Sequence, residues 1–497
     1  MNKLIKKNAD FNIMVSIIPV LMIMSMHKFL TLFGVLFCLI YFSYINFYAL
    51  KNKSNIIPKI IIILLVLQNV GIGIGAHITG NSSSTLSLVS QIPSMFIIIA
   101  SIFVLLKRDF VKTDILFGLY LIMLIVFVFI GDGIWGVKAV YLRNFTIFYP
   151  AYIIGAFYLK DKAVRDEFIS FVLKLAVCAG IFGIIGMIIG KPFYQLIGVN
   201  EVYIAKKSAS FVNGLPGNFI TLFGSKWVNR MASFYYEPVN FSYFMSFAVI
   251  SAAASQKWKS FTFLFICEIL TFGKGGLLVM MASAVCIAVH LILKGLFPKL
   301  TLKNIKNIIL IGMTGGVVLV AIIFYFFLTD IFGGYLHFYG IITGVEAILK
   351  WPLGHGLGSA GNIVRNFEGY GTFDISETGL VNMGYQIGLL GILIFIVFLI
   401  ILSWKAFKNY SESNSDKGYL GILYIYMPVI LMLVFIFQEN TFTPQCVVSY
   451  MLIQGSFVHE FSSEPKIRIT KNITVILEKI NRKKSNKLGK YFDSYRK

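Results

Sequence analysis

The sequence predicts an all-α polytopic membrane protein. Three observations carry that prediction. Hydrophobic residues make up 57% of the 497 and charged residues 13%, against about 25% charged in a soluble domain; mean hydropathy is +0.80. Apolar runs of about 20 residues recur along the whole chain, long enough to cross a hydrocarbon core of about 30 Å as helices; the alternating segments of about 10 residues that mark a membrane β-barrel are not seen. The 44 Lys and Arg concentrate in every second connector, as the positive-inside rule requires when both termini are cytoplasmic. The net charge of +22 is therefore mostly a topology signal, and no nucleic-acid partner is expected.

About fourteen spans are expected, near residues 11–26, 29–49, 57–75, 90–106, 114–131, 145–159, 168–189, 239–255, 261–273, 277–293, 307–329, 378–403, 419–437 and 442–458. They form one integral membrane domain over 1–463, followed by a basic tail, 464–497. In the tail Ile473, Ile476, Leu477 and Ile480 recur at helical spacing, which suits an amphipathic helix on the inner leaflet. The first span has Lys3, Lys6 and Lys7 ahead of it but no small-residue cleavage site after it, so it is not a removable signal peptide. Cys38, Cys178, Cys267, Cys286 and Cys446 all fall in apolar runs and show neither a disulfide framework nor a zinc spacing. The six histidines are scattered, and no metal is expected.

Residues 1–189 read as scaffold with short connectors. In the connector from Gly131 to Asn144, Asp132, Lys138 and Arg143 either line a cavity or, in the preferred reading, belong to a solvated loop. Two long outer loops follow, 190–236 and 330–377. The first holds Lys191, Lys206, Lys207, Lys226 and Arg230 against one acid, Glu201. Cations on the outer face run against the topological trend and suit a phosphate or diphosphate, which Arg grips with its fork and Lys meets as a point charge; attraction to anionic headgroups is the other reading. The loop closes on Glu237-Pro238, where Pro suits a first helical turn and Glu a positive helix N-terminus; Glu237 is a candidate acid or a cap. Lys274 sits in the corner Gly273-Lys274-Gly275-Gly276 and is a further candidate anion contact. The second loop carries Trp351 to Ser359, with glycines at 354, 356 and 358, then Arg365, Asp374 and Glu377. Its glycine run follows no strand, so it is neither a P-loop nor a dinucleotide fingerprint.

Taken together these segments resemble the O-antigen polymerase and ligase superfamily, the Wzy-type polysaccharide polymerases and their ligase relatives. The resemblance rests on Arg230-x-x-x-Phe234-x-x-Glu237-Pro238-x-Asn240, on the Thr271 to Leu277 corner, on the Gly354 to Ser359 turn, and on Glu377 through Gly391; it covers mainly residues 225–405. It implies a glycosyltransferase bundle of the membrane-embedded C type on the outer face of the bacterial cytoplasmic membrane. Its substrates would be polyprenyl-diphosphate-linked oligosaccharides, with no cofactor and no nucleotide sugar. A flippase and a chain-length regulator would be its partners. The reaction needs a base for the acceptor hydroxyl and cations for the departing diphosphate. Glu377 is the first candidate base, or else an N-cap, and Asp374 and Glu237 stand second. Arg230 is the first candidate for diphosphate, with Lys274 and Arg365 behind it. Two departures from the family matter. Gly273-Lys274 replaces the frequent Ser-Arg. Glu377, Val381 and Gly388 occupy the places where ligases carry His, Leu and Gly, which favours a polymerase over a ligase. A lipid-linked oligosaccharide flippase or a small-solute transporter also has many spans, but the two long outer loops argue against both.

Overall fold

The computed structural model describes residues 2–52, 54–206, 211–223, 226–296, 334–365, 378–412 and 418–458. Helices occupy thirteen of the fourteen expected stretches, and the stretch 307–329 lies outside the described residues, as does the tail 464–497. Eight of these helices are long and apolar enough to cross a membrane: Lys28–Lys51, Ile56–Thr79, Leu86–Lys107, Lys112–Ile130, Lys162–Ile189, Lys274–Ile292, Gly379–Tyr410 and Tyr419–Phe437. Asp10–Met26 and Pro238–Ala254 are shorter apolar helices.

Burial separates the helices by role. Ile56–Thr79 is 83% buried along its most apolar window, whereas Lys112–Ile130 is 28% buried. The first is therefore central. The second presents Ile115, Leu119, Ile122 and Phe129 outward, as a lipid-facing wall does. One apolar core runs through the bundle from Ile17 to Val458. At its centre the helices Phe148–Tyr158 and Pro444–Ser456 lie close together. A Cβ on Gly155 would come within 1.9 Å of the Leu452 carbonyl oxygen, and one on Gly455 within 2.0 Å of that of Tyr152. Small residues let helix backbones approach where lipid offers no hydrophobic drive for association.

The connectors gather at two opposite ends. At one end Lys59 pairs with Glu167 at 2.6 Å, and Arg108 pairs with Asp114, which also accepts from the Val111 amide at 2.8 Å. There too Lys405 donates to Thr113 at 3.0 Å, and Arg165 lies 4.2 Å over the Phe457 ring. The other end holds the 190–236 connector. It is not featureless. Helices Lys191–Leu196 and Val199–Ala205 are followed by two antiparallel hairpins, Phe211–Val212 with Leu215–Pro216 and Ile220–Phe223 with Lys226–Asn229, the latter in the register Ile220 to Asn229. His77 at the end of a spanning helix meets Glu201 of this cap at 2.8 Å. Part of the second long loop is also helical, Gly334–Lys350.

Candidate functional site

The polar centre of the cap end is a break between two helices. Helix Tyr419–Phe437 stops at Gln438, whose backbone is extended; Glu439–Phe442 form one 3-10 turn; Pro444 then opens the next helix. Pro fits there because a first helical turn has no use for its missing N–H. The four side chains from Gln438 to Thr441 turn into the protein. Gln438 Oε1 accepts from the Tyr243 hydroxyl at 2.8 Å, and Thr441 lies 2.6 Å from the same hydroxyl. Asn440 donates to Glu237 Oε1 at 3.3 Å.

Glu439 is buried and joins three distant segments. Its Oε1 accepts from the Tyr141 hydroxyl at 2.6 Å. Its Oε2 accepts from the Asn362 amide at 2.8 Å and from Asn382 Nδ2 at 3.0 Å. Burial and this carboxylate together hold the Tyr141 hydroxyl well above its ordinary pKa. Sequence reasoning missed Glu439. Its signal is visible afterwards: four polar residues stand between Phe437 and Phe442 inside an otherwise apolar run, and an ionisable group at membrane depth is a functional candidate by default.

Glu237 is the N-cap residue of helix Pro238–Ala254, yet its side chain makes no capping bond. It accepts instead from Asn240 Nδ2 at 3.0 Å and from Asn440, and Asn240 also reaches Gln445 at 2.7 Å. The capping reading of this side chain thus yields to one in which it is held across the helix break, half-buried.

Arg230 ends the second hairpin. Its Nε donates to the Thr271 carbonyl at 3.0 Å, Nη2 to that of Phe272 at 3.2 Å and Nη1 to that of Asn218 at 3.3 Å. The guanidinium therefore pins the hairpin to the last carbonyls of helix Trp258–Thr271, where cations are favoured by the helix dipole. With Asn229, Tyr194 and Phe219 it lines a small cleft. Lys274 is exposed at the start of the following helix. Beside it Glu268 is fully buried and takes the Ser242 hydroxyl at 2.6 Å. Arg365 closes the short helix Asn362–Arg365, and its side chain lies outside the described residues, as do Asp374 and Glu377. Among the described residues, no three His, Cys, Asp or Glu converge as a metal would need.

The glycine run acts as a wedge. Helix Gly379–Glu412 is broken at Gly388 (φ 71°, ψ 177°), a conformation open essentially to glycine alone. The break frees carbonyls: Tyr385 takes the His355 amide and Gln386 the Gly356 amide, both at 2.9 Å, and Pro352 takes the Leu389 amide at 2.8 Å. Gly356 (φ 91°) passes so close to the 131–133 connector that a Cβ there would lie 2.2 Å from Gly131 Cα. His355 stacks between Trp351 and Tyr385, and burial holds it below its ordinary pKa.

Of the connector residues read as solvated, Asp132 is exposed, but Lys138 and Arg143 are drawn into the protein. Lys138 is buried and donates to the Gly131 carbonyl, with Nζ 4.9 Å over the Trp135 ring. Arg143 is half-buried and bonds to Gln91 and Asn144. From the cap, Lys206 feels the charges of both Glu237 and Arg143, and burial holds its ammonium below the ordinary range. Tyr203 lies within reach of the charges on Glu237 and Arg230, and its hydroxyl donates to the Tyr236 carbonyl at 2.8 Å. Among the described residues, Lys138, Arg143, Lys206 and Arg230 and the carboxylates of Glu201, Glu237 and Glu439 lie at this end of the bundle. No protein-family model, no curated protein and no solved structure matches the chain.

Proposed function

We propose that this chain is a membrane-embedded glycosyltransferase, a Wzy-type polymerase that joins polyprenyl-diphosphate-linked oligosaccharide units into a surface polysaccharide. It does so on the outer face of the bacterial cytoplasmic membrane, with fourteen spans, both termini inside, and a flippase and a chain-length regulator as partners. The observation that carries the reading is the helix break at Gln438–Phe442, which meets Glu237 through Asn440, and Tyr141 and Asn382 through Glu439, at the end where Tyr203 of the folded cap bonds to the Tyr236 carbonyl. Non-helical backbone at membrane depth is tolerated where it lines a cavity or is buried in protein. Broken helices with nearby cations suit an anionic group delivered from the lipid.

In the reaction, the acceptor hydroxyl oxygen bonds to the anomeric carbon of the donor glycan as the bond to the carrier diphosphate breaks. A carboxylate takes the hydroxyl proton, and cations hold the diphosphate that leaves with the bonding pair. Glu377 is the base that the family resemblance supplies. Glu237, held at the helix break by Asn240 and Asn440, is the second candidate.

The test is Glu377→Gln in cells, read as glycan length on the carrier and its sidedness. Loss of a general base costs about 10²–10⁴ in rate, so single lipid-linked units should accumulate on the outer face of cells that still hold abundant protein. Long chains left on the carrier would mark a ligase instead, and units held on the inner face a flippase. Wild-type chain length would remove Glu377 from the role.

A further inference from the structure

Among the described residues, Asp114, Glu268 and Glu439 are the buried carboxylates, and they are served unequally. Asp114 pairs with Arg108, and Glu439 takes three donors. Glu268, on helix Trp258–Thr271, has one neutral hydroxyl beside it, that of Ser242, at 2.6 Å from Oε1. Its Oε2 is buried without a hydrogen-bond partner, and among the described residues no ion pair reaches it. The titratable groups near enough to feel a charge on it are the phenols of Tyr243 and Tyr450 and the thiol of Cys267. Helix Lys162–Ile189 meets this stretch at Gly180, which presents no side chain. At the corner above, Arg230 grips the Thr271 and Phe272 carbonyls and Lys274 is exposed.

Ser242 Oγ also stands 3.0 Å from the Gly273 carbonyl oxygen, whose other lone pair takes the Leu277 amide at 3.1 Å. One hydroxyl proton cannot serve Oε1 and this carbonyl together. With Glu268 as a carboxylate, one of the two short contacts holds no proton, and a full charge is buried against a single neutral donor, which is costly. With Glu268 as an acid, its O–H donates to Ser242 Oγ and the Ser242 hydroxyl donates to Gly273. Both contacts are then hydrogen bonds of ordinary length, and Oε2 is a neutral carbonyl. The corner is built around this chain of bonds. A Cβ on Gly273 or Gly276 would run into Ser242, so glycine lets the backbone close over that side chain. Thr271 Oγ1 donates to the Glu268 carbonyl at 2.7 Å and accepts the Gly273 amide at 3.0 Å. We propose that Glu268 is a proton-binding site, neutral at neutral pH, whose proton ties helix Trp258–Thr271 through Ser242 to the Gly273 corner. The site stands whether or not the chain is a polymerase.

The experiment is infrared spectroscopy of the full chain at neutral pH in dodecyl maltoside, a detergent without a carbonyl. A protonated carboxyl has a C=O stretch that a carboxylate lacks and that shifts down in D2O. Wild type should show this band, Glu268→Gln should lose it and Glu439→Gln should keep it. Glu268→Gln should fold, because its amide copies the acid and donates to Ser242 in the same place. Unfolding in SDS against pH is the second readout. An unfolded glutamate releases its proton near about pH 4.3 and the native one keeps it, so the native state binds more protons and stability falls as pH rises. From about pH 5 to neutrality, each pH unit should lower the folding constant of wild type about tenfold more than that of Glu268→Gln. A wild type without the band, a band that survives Glu268→Gln, or equal pH slopes overturns the site. A Glu268→Gln chain that does not fold shows that a negative charge is needed there, and overturns it too. A band that sodium chloride suppresses and choline chloride does not would give the place to a metal cation instead of a proton.

Discussion

Removing the Glu439 side chain should loosen the cap end of the bundle, and the size of the effect follows from its bonds. Glu439→Ala orphans the Tyr141 hydroxyl, the Asn362 amide and Asn382 Nδ2, which it now holds at 2.6, 2.8 and 3.0 Å. A buried donor left without an acceptor costs about 1–3 kcal/mol, and neighbouring losses are not additive. Asn362 is half-buried and regains water, so the expected loss is about 3–5 kcal/mol. Glu439→Gln is different. Its carbonyl oxygen can take the place of Oε2 and keep two of the donors. Its amide then faces Tyr141, whose hydroxyl turns to accept. All three groups stay satisfied, and the loss is roughly 1 kcal/mol, the difference between charged and neutral acceptors. Equilibrium unfolding of the purified protein by SDS in mixed micelles measures both variants. An Ala variant within experimental scatter of wild type would refute the bonding argument. A Gln variant as damaged as Ala would show that the negative charge, and not the bonding pattern, holds the corner.

Gly388→Ala should cost about 3 kcal/mol or more, because φ there is 71° and the new Cβ would lie 2.5 Å from the Pro352 oxygen; yield and thermal stability in detergent report it. Arg230→Ala should release the hairpin from helix Trp258–Thr271 and expose it to limited proteolysis, with Arg230→Lys intermediate; an unchanged digestion pattern would return Arg230 to the list of substrate contacts. Because burial lowers the His355 pKa from its ordinary 6.5, the unfolded chain binds that proton first, and stability should fall as pH drops below about 6.5; His355→Phe should flatten that slope in unfolding measured against pH. In a background without the five native thiols, Trp227→Cys should label from outside intact cells and Lys160→Cys should not, and the opposite pattern would invert the orientation.

The class of this protein was legible residue by residue. Whether some 20 consecutive side chains can replace water with lipid is a local property, so helices appear where the hydropathy places them, down to the short pair Trp258–Thr271 and Lys274–Leu296. Arg230 and Glu237 stood out by their place in a motif, but their partners were not readable. Glu237 looked like a cap and bonds across a helix break; Arg230 looked like a diphosphate ligand and grips carbonyls. The hairpins between Phe211 and Asn229 escaped because strands of two to four residues carry no periodicity of their own and exist only through their pairing. The corner at Glu439 escaped for a stronger reason. Its contact with Tyr141 spans 298 residues of chain, and Tyr243 meets Gln438 across 195, between helices that touch only once the bundle has closed. Hydrophobic length is set along the chain and survives in the sequence. The neighbours of a buried charge are set by packing, so the tertiary structure alone decided which polar groups share the low-dielectric end of the bundle.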